Sequence, residues 1–188
     1  MKSISVLIIA IFISITTSAQ DKASVETSIY GIQTGVLGIW AHNEYKLNDA
    51  IALRTEVGFD TGIFGGYYQD NTNFVLFPTI SLEPRYYYNL NRRLEKGKSI
   101  TNNSGNFFTI RLQYIPDWFV ISNVDNISVA ENFAIIPKWA IKRTVGKHFT
   151  YETGIGIGYR QYFLKQYGYL KNESEAALDL HLRIGYTF

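Results

Sequence analysis

The chain contains no cysteine and a single methionine, and only four of its 188 residues are proline. Without cysteine there are no disulfides, no thiolate zinc centre and no lipid carried on an N-terminal cysteine. An exported domain so composed must draw its stability from a good core or from a membrane. An excess of one charge is missing too: 18 Lys+Arg face 16 Asp+Glu, for a formal net charge of +2. That balance argues against nucleic acid or an acidic substrate as partner. Histidine is scarce, and His42, His148 and His181 show none of the HxH or HxxxH spacings that a metal site uses. Long apolar runs are absent as well. The longest, Ile4 to Ile15, falls short of the roughly 20 residues that a spanning helix needs.

What is present points in one direction. Lys2, the apolar run and the small-residue stretch "TTSAQ", with Thr17 and Ala19 before the cut, form the three regions of a secretory leader. The expected organisation is a signal peptide over 1–19, read by the Sec pathway, and a single domain over 20–188. Losing Lys2 with the leader leaves a net charge of about +1. The aromatic load is high, with 14 Tyr, 12 Phe and 3 Trp, and suits β-structure with aromatic surfaces better than helices.

A period of two runs along the mature chain. Ile51, Leu53, Thr55, Val57 and Phe59 alternate with Ala52, Arg54, Glu56, Gly58 and Asp60; Ile80, Leu82, Pro84 and Tyr86 alternate with Ser81, Glu83 and Arg85. The rhythm recurs from Phe108 (against Arg111, Gln113 and Asp117), from Phe133 (against Lys138 and Lys142) and from Phe149 (against Glu152 and Arg160). It closes with "ALDLHLRIGYTF", residues 177–188, where leucines alternate with Asp179, His181 and Arg183. No segment holds a helical stripe over three turns, so the fold class is all-β. The runs extend for about 12 to 16 residues, beyond the 5 to 6 usual in soluble sheets and long enough to cross a bilayer at a tilt.

Connections alternate in style. "LND" (47–49) and "TVGKH" (144–148) are tight, whereas 65–73, 121–131 and 164–175 are long. Short turns at one end and long loops at the other is the layout of an outer-membrane barrel, with the short turns periplasmic. The basic stretch 91–105 is an exception, long yet on the short-turn end. Seven strands are plain, the earliest from Gly35 to Leu47. Even strand number in such barrels places an eighth around Ser24 to Gln33, turning near Thr34 and Gly35. The expected architecture is a transmembrane antiparallel up-and-down β-barrel of eight strands with a filled polar lumen.

The last strand and the "TTSAQ" leader carry a resemblance. Phe188, with Tyr186 and alternate hydrophobics before it, resembles the C-terminal assembly signal of outer-membrane proteins. Together with "GIWAHNEYKLNDAIALRTEVGF" (38–59), a glycine-aromatic strand, short turn and "LRTE" strand, the mature chain resembles the small outer-membrane β-barrels of Gram-negative bacteria, PorT-like and OmpX/OmpA-like. The resemblance implies the cell outer membrane as location. It also implies outer-membrane lipid and the barrel assembly machinery as partners, with Tyr186 and Phe188 as the assembly signal. It implies no single activity.

With the charged faces inward, Arg54, Glu56, Glu83, Arg85, Arg111, Lys138, Glu152, Asp179 and Arg183 should interlock as a structural salt-bridge network, joined by Asp60, Asp117, Lys142 and Arg160. A proton or small-ion path through the same lumen is the sharper alternative. No His has a serine two residues away and the long loops lack His, so nucleophilic catalysis has no base–nucleophile pair. The expectations are a non-enzyme without catalytic, cofactor-binding or metal residues, and a monomer acting structurally or through a protein partner at its extracellular loops. The alternatives are a secretion or transport accessory barrel working through Arg92, Arg93, Lys96 and Lys98, and a soluble lipocalin-like barrel with the faces inverted. The glycines Gly154, Gly156 and Gly158 should make room for large side chains opposite them.

Overall fold

A computed structural model describes residues 23–64 and 73–188. The expected leader, and most of the expected loop 65–73, lie outside the described residues. Among the described residues nine strands form: β1 (Ser28–Gly35), β2 (Gly38–Lys46), β3 (Ile51–Phe64), β4 (Asn73–Tyr87), β5 (Gly105–Ile115), β6 (Ile121–Ser122), β7 (Asn132–Val145), β8 (Phe149–Tyr162) and β9 (Glu173–Thr187). All pairings are antiparallel. Eight of the strands close on themselves in the order β3-β2-β1-β9-β8-β7-β5-β4, with β4 pairing back to β3; the two-residue β6 adds to β4. The first strand expected at 24–33 is β1, shifted towards Gly35. Its turn falls at Val36 and Leu37, so β2 begins at Gly38 rather than Gly35. Gly38 itself has φ +146°, and a Cβ there would collide with the Phe59 carbonyl oxygen. Only glycine fits.

Alternation in the sequence becomes inside and outside in the ring. Along β7, Ala134, Ile136, Lys138, Ala140 and Lys142 are buried, while Ile135, Pro137 and Val145 are exposed. Along β9 the exposed set is Leu178, Leu180, Leu182 and Ile184, and the inner set includes His181 and Arg183. Apolar side chains line the outer face, and charge fills the interior. No helix among the described residues is long and apolar enough to cross a membrane.

One expectation is corrected. Asp117 does not face the interior: β5 ends at Ile115, and Asp117 sits in the following loop, where its Oδ2 accepts a 2.6 Å hydrogen bond from the Tyr167 hydroxyl. Alternation stops where the ladder stops. The glycines of β8 make room for the neighbouring strand. The atoms nearest to where their Cβ would stand belong to β7, among them the Pro137 carbonyl 2.8 Å from Gly156 and Ile136 Cα 2.7 Å from Gly158. They let two adjacent strands approach closely in a curved wall.

The exceptional segment 91–105 proves to be a cap. Between β4 and β5 the chain forms a short helix, α1 (Leu90–Glu95), then a 3₁₀ turn (Thr101–Asn103). Leu90 drops into a cluster with Ala23, Val25, Ala52, Tyr87, Phe107 and Ala140, with Ile100 against it. Asn102 and Asn103 both take left-handed conformations, φ 52° and 58°, which asparagine tolerates. The turn thereby aims both side chains: Asn102 Nδ2 donates to the Lys147 carbonyl at 2.8 Å, and Asn103 Nδ2 reaches Glu44 inside the ring at 2.9 Å. The N-terminal stretch is tied to the same cap, the Glu26 amide donating to Asn103 Oδ1 at 2.7 Å and the Ala23 amide to Asn91 Oδ1 at 2.8 Å. Leu90→Ala should lower unfolding stability by about 2–5 kcal/mol. Limited trypsin digestion should show faster cleavage after Arg92 and Arg93 in that variant; unchanged cleavage would mean that the cap is not held by its apolar cluster.

Candidate functional site: a buried charge network and the cavity above it

The interior is layered from the capped end upward. Lowest is the apolar cluster under the cap. Above it lies the densest part of the molecule electrostatically, centred on two carboxylates from β2 and β8. Glu44 accepts from Arg85 Nη1 at 2.8 Å, Lys142 Nζ at 2.9 Å and the Tyr87 hydroxyl at 3.1 Å, in addition to Asn103. Glu152 accepts from Gln33 Nε2 at 2.9 Å and Arg85 Nη1 at 3.2 Å, and meets His181 Nε2 at 3.0 Å. Arg54 bridges both, 3.4 Å from each carboxylate, and its Nη2 donates to Gln33 Oε1 at 2.6 Å. Glu44, Arg54, Arg85, Lys142 and Glu152 are all inaccessible to solvent.

A second tier continues upward. Glu56 holds Arg54 Nη2 and Arg183 Nη1, each at 2.7 Å, and Arg111 Nη2 at 3.2 Å. Glu83 holds Arg85 Nη2 and Lys138 Nζ, each at 3.0 Å. Asp179 pairs with Arg111 at 3.3 Å and Lys138 at 3.4 Å. The nine residues expected from alternation therefore lie in one connected network, and every carboxylate in it touches at least two cations. Arg183 also stacks on the Trp40 ring, 3.6 Å from its centroid, a cation–π contact. Asp60 joins through neutral donors instead: Trp40 Nε1 and Gln113 Nε2, each at 2.7 Å. Arg160, expected with the interior set, stands near its upper rim, 3.6 Å from Glu175.

Reading the sequence missed Glu44, Gln33, Tyr87 and the cap residue Asn103. The signal for Glu44 was available: Trp40, His42 and Glu44 share a parity along β2, and all three are buried. His42 is packed over Gly31, and neither of its ring nitrogens has a hydrogen-bond partner among the described residues.

Above the network the interior opens. A cavity of about 550 Å³ has Arg111, Asp179 and Asp60 on its floor and Phe77, Ile115 and Ile136 on its walls. The loops beyond it are tied together rather than splayed. Phe163 N donates to the Glu131 carbonyl at 3.0 Å, Gln166 Nε2 to Glu131 Oε2 at 2.6 Å, and Glu131 N to the Tyr167 hydroxyl at 3.1 Å. Phe119 folds back onto the outer face, its ring 6.0 Å from that of Phe59. Among the described residues, no cluster of three or more His, Cys, Asp or Glu side chains is arranged to hold a metal ion.

Such a network is stable only as a whole. Burying an ion costs several kcal/mol, and the cost is offset here because every carboxylate of the network faces at least two cations, although Arg85 Nη2 and Arg111 Nε make no hydrogen bond among the described residues. Comparison with known proteins returned no matching family model, no matching curated sequence and no matching solved structure. Glu44→Ala leaves Arg85 and Lys142 short of a counter-charge and should cost about 3–5 kcal/mol. Glu175→Ala, at the exposed rim pair, should cost under about 1 kcal/mol. Urea unfolding of the two variants beside the parent checks this, and equal losses would refute a central role for Glu44.

Proposed function

We propose that the protein is an integral outer-membrane β-barrel of eight strands, exported through the Sec pathway and inserted as a monomer with its capped end in the periplasm. Its role is structural or interactive rather than catalytic, exercised through the tied loops at the opposite end. One observation carries this reading: the closed ring wears its apolar side chains outside and its ion pairs inside. In hydrocarbon every backbone polar group must be paired within the protein, which a closed ring achieves, and the outward face must be apolar. Aromatic residues support it by their placement. Tyr45, Tyr86, Tyr88, Phe108 and Tyr151 are exposed near the capped end, while Phe74, Trp118 and Tyr159 are exposed towards the loops, in the manner of interfacial girdles. Tyr186 packs edge-on against both Phe149 and Phe188 on the outer face of the last strands, where the assembly machinery would read them.

The loops supply the interaction surface. Tyr167 and Tyr169 are exposed and Leu170 is 99% exposed, a tyrosine-rich head held by the hydrogen bonds around Glu131. The resemblance of the sequence to PorT-like and OmpX/OmpA-like barrels accords with this reading. The secretion-accessory alternative draws on the cap, where Arg92, Lys96 and Lys98 are exposed and Arg93 is half-buried. A lipocalin-like reading is disfavoured by the charged interior.

Membrane fractionation with a heat-modifiability gel tests the proposal. Outer-membrane recovery with a mobility shift on boiling is expected; soluble recovery without a shift would overturn it. Leu182, 65% exposed on the outer face, supplies the sharper variant. Leu182→Arg should impair assembly, at a cost of roughly 2–4 kcal/mol near the midplane, and assembly at the parent level would refute the assigned facing.

A further inference from the structure

The wall of the ring is not of even height. At the capped end the strands finish nearly level. At the loop end β1 and β2 stop early: they have 8 and 9 residues, against 14 in β3 and 15 in β9. The β1–β9 register ends at Gly35↔Arg183, yet β9 continues to Glu173. The β2–β3 register ends at Gly38↔Asp60, yet β3 continues to Phe64. A bond from the Thr61 amide to the Leu37 carbonyl, 2.8 Å, closes that side. Above it, among the described residues, β3 and β9 face each other with no strand between them. The ring has a lateral notch.

The notch opens into the cavity above the charge network. Val36, Leu37, Leu178 and Leu182 line that cavity together with the interior residues Phe77 and Ile136. The sill of the notch is itself unusual, because the β1–β2 turn is Val36-Leu37, exposed at 71% and 47%. Turns facing water are ordinarily polar or glycine-rich; an apolar one suits contact with hydrocarbon. Beside the apolar sill runs the free edge of β9, whose backbone polar groups cannot be left bare in hydrocarbon.

The floor offers little spare charge. Arg111 is committed to Glu56 and Asp179, Arg183 to Glu56 and the Trp40 face, and both oxygens of Asp60 accept from Trp40 and Gln113. Arg160 differs. Its nearest carboxylate is the exposed Glu175 at 3.6 Å, its Nη2 reaches Gln113 Oε1 only at 3.5 Å, and its Nε, like that of Arg111, is buried with no hydrogen-bond partner among the described residues.

We propose that this cavity binds a single-chain amphiphile with a carboxylate head, of the long-chain fatty-acid class, and exchanges it laterally with the bilayer through the notch. The carboxylate is held by Arg160, and the chain lies along Phe77, Ile115 and Ile136 and leaves over Val36 and Leu37. About 550 Å³ lies within the usual 300–1,000 Å³ of small-molecule sites. The inference rests on the membrane-spanning reading, and the test separates the two.

Trp40 lines the cavity while Trp118 and Trp139 face outward, so Trp118→Phe/Trp139→Phe leaves one reporter. The full-length exported protein carrying both changes is placed in phospholipid nanodiscs and titrated with stearic acid brominated at mid-chain. Saturable quenching of Trp40 is expected, with little quenching from brominated phospholipid. Arg160→Gln should weaken the apparent affinity roughly tenfold, as for loss of one charge-assisted hydrogen bond. Leu37→Asn, a polar but uncharged change at the exposed turn, should slow the onset of quenching while leaving the mobility shift on boiling in place. The brominated methyl ester should bind the parent as weakly as the acid binds Arg160→Gln. Insertion with non-saturable quenching, or with quenching indifferent to both substitutions, overturns this proposal alone. Failure to enter nanodiscs overturns the membrane reading and the lateral route with it.

Discussion

Two carboxylates with no contact with water, Glu44 and Glu152, are held by Arg54, Arg85 and Lys142, and much else in the molecule exists to make that arrangement tenable. An isolated charge in such a place would neutralise or drag water inward. Here each carboxylate instead receives several donors. The guanidinium of Arg54 spans both, a task suited to its planar fork and not to a point charge. Closure of the ring puts the partners within reach; the narrow bore of about eight strands lets them touch across it. The cap completes the coordination from below with Asn103. Apolar residues are left for the outside because the inside is already spoken for.

The inner and outer faces were legible in the sequence because parity along a strand is a local property. Arg54 and Glu56, Glu83 and Arg85, or His181 and Arg183 stand two apart and so point the same way whatever they meet. Which charge meets which was not legible, since Arg54 finds Glu152 across almost a hundred residues. Parity also misleads once a ladder ends, as Asp117 shows beyond Ile115. Glu44 escaped notice because β2 mixes its polarity: Tyr45 faces out and His42 faces in, and no clean greasy face announces itself. The cap was the least legible part. Its order depends on two left-handed asparagines and one buried leucine, which leave no periodic trace.

Length is as informative as polarity. The strands of the wall differ by up to seven residues, and the shortest pair is joined by the least polar turn. A two-residue hairpin normally takes glycine or asparagine at its centre. Here glycines flank the turn at Gly35 and Gly38, and the centre is given to Val36 and Leu37. Conformational needs are met by the flanks, which frees the tip to be chosen for its surroundings. The same division recurs in β8, where glycines settle the approach to β7 and Ile155 and Ile157 face outward.

The charge network draws on all eight strands of the ring: Gln33 from β1, Glu44 from β2, Arg54 and Glu56 from β3, Glu83 and Arg85 from β4, Arg111 from β5, Lys138 and Lys142 from β7, Glu152 from β8, and Asp179, His181 and Arg183 from β9. A sheet lacking any one hairpin therefore has unmatched valences on the face it is trying to bury. The β3–β4 hairpin pairs Arg54 with Glu56 and Arg85 with Glu83 within its own strands, but Lys142 meets Glu44, Arg85 meets Glu152 and Arg183 meets Glu56 only across the ring. Those cross-ring pairs form only when the first strand meets the last. Joining the two ends of the sheet is thus the event that makes the interior habitable, and an incompletely wound intermediate keeps its bore open to water until that moment.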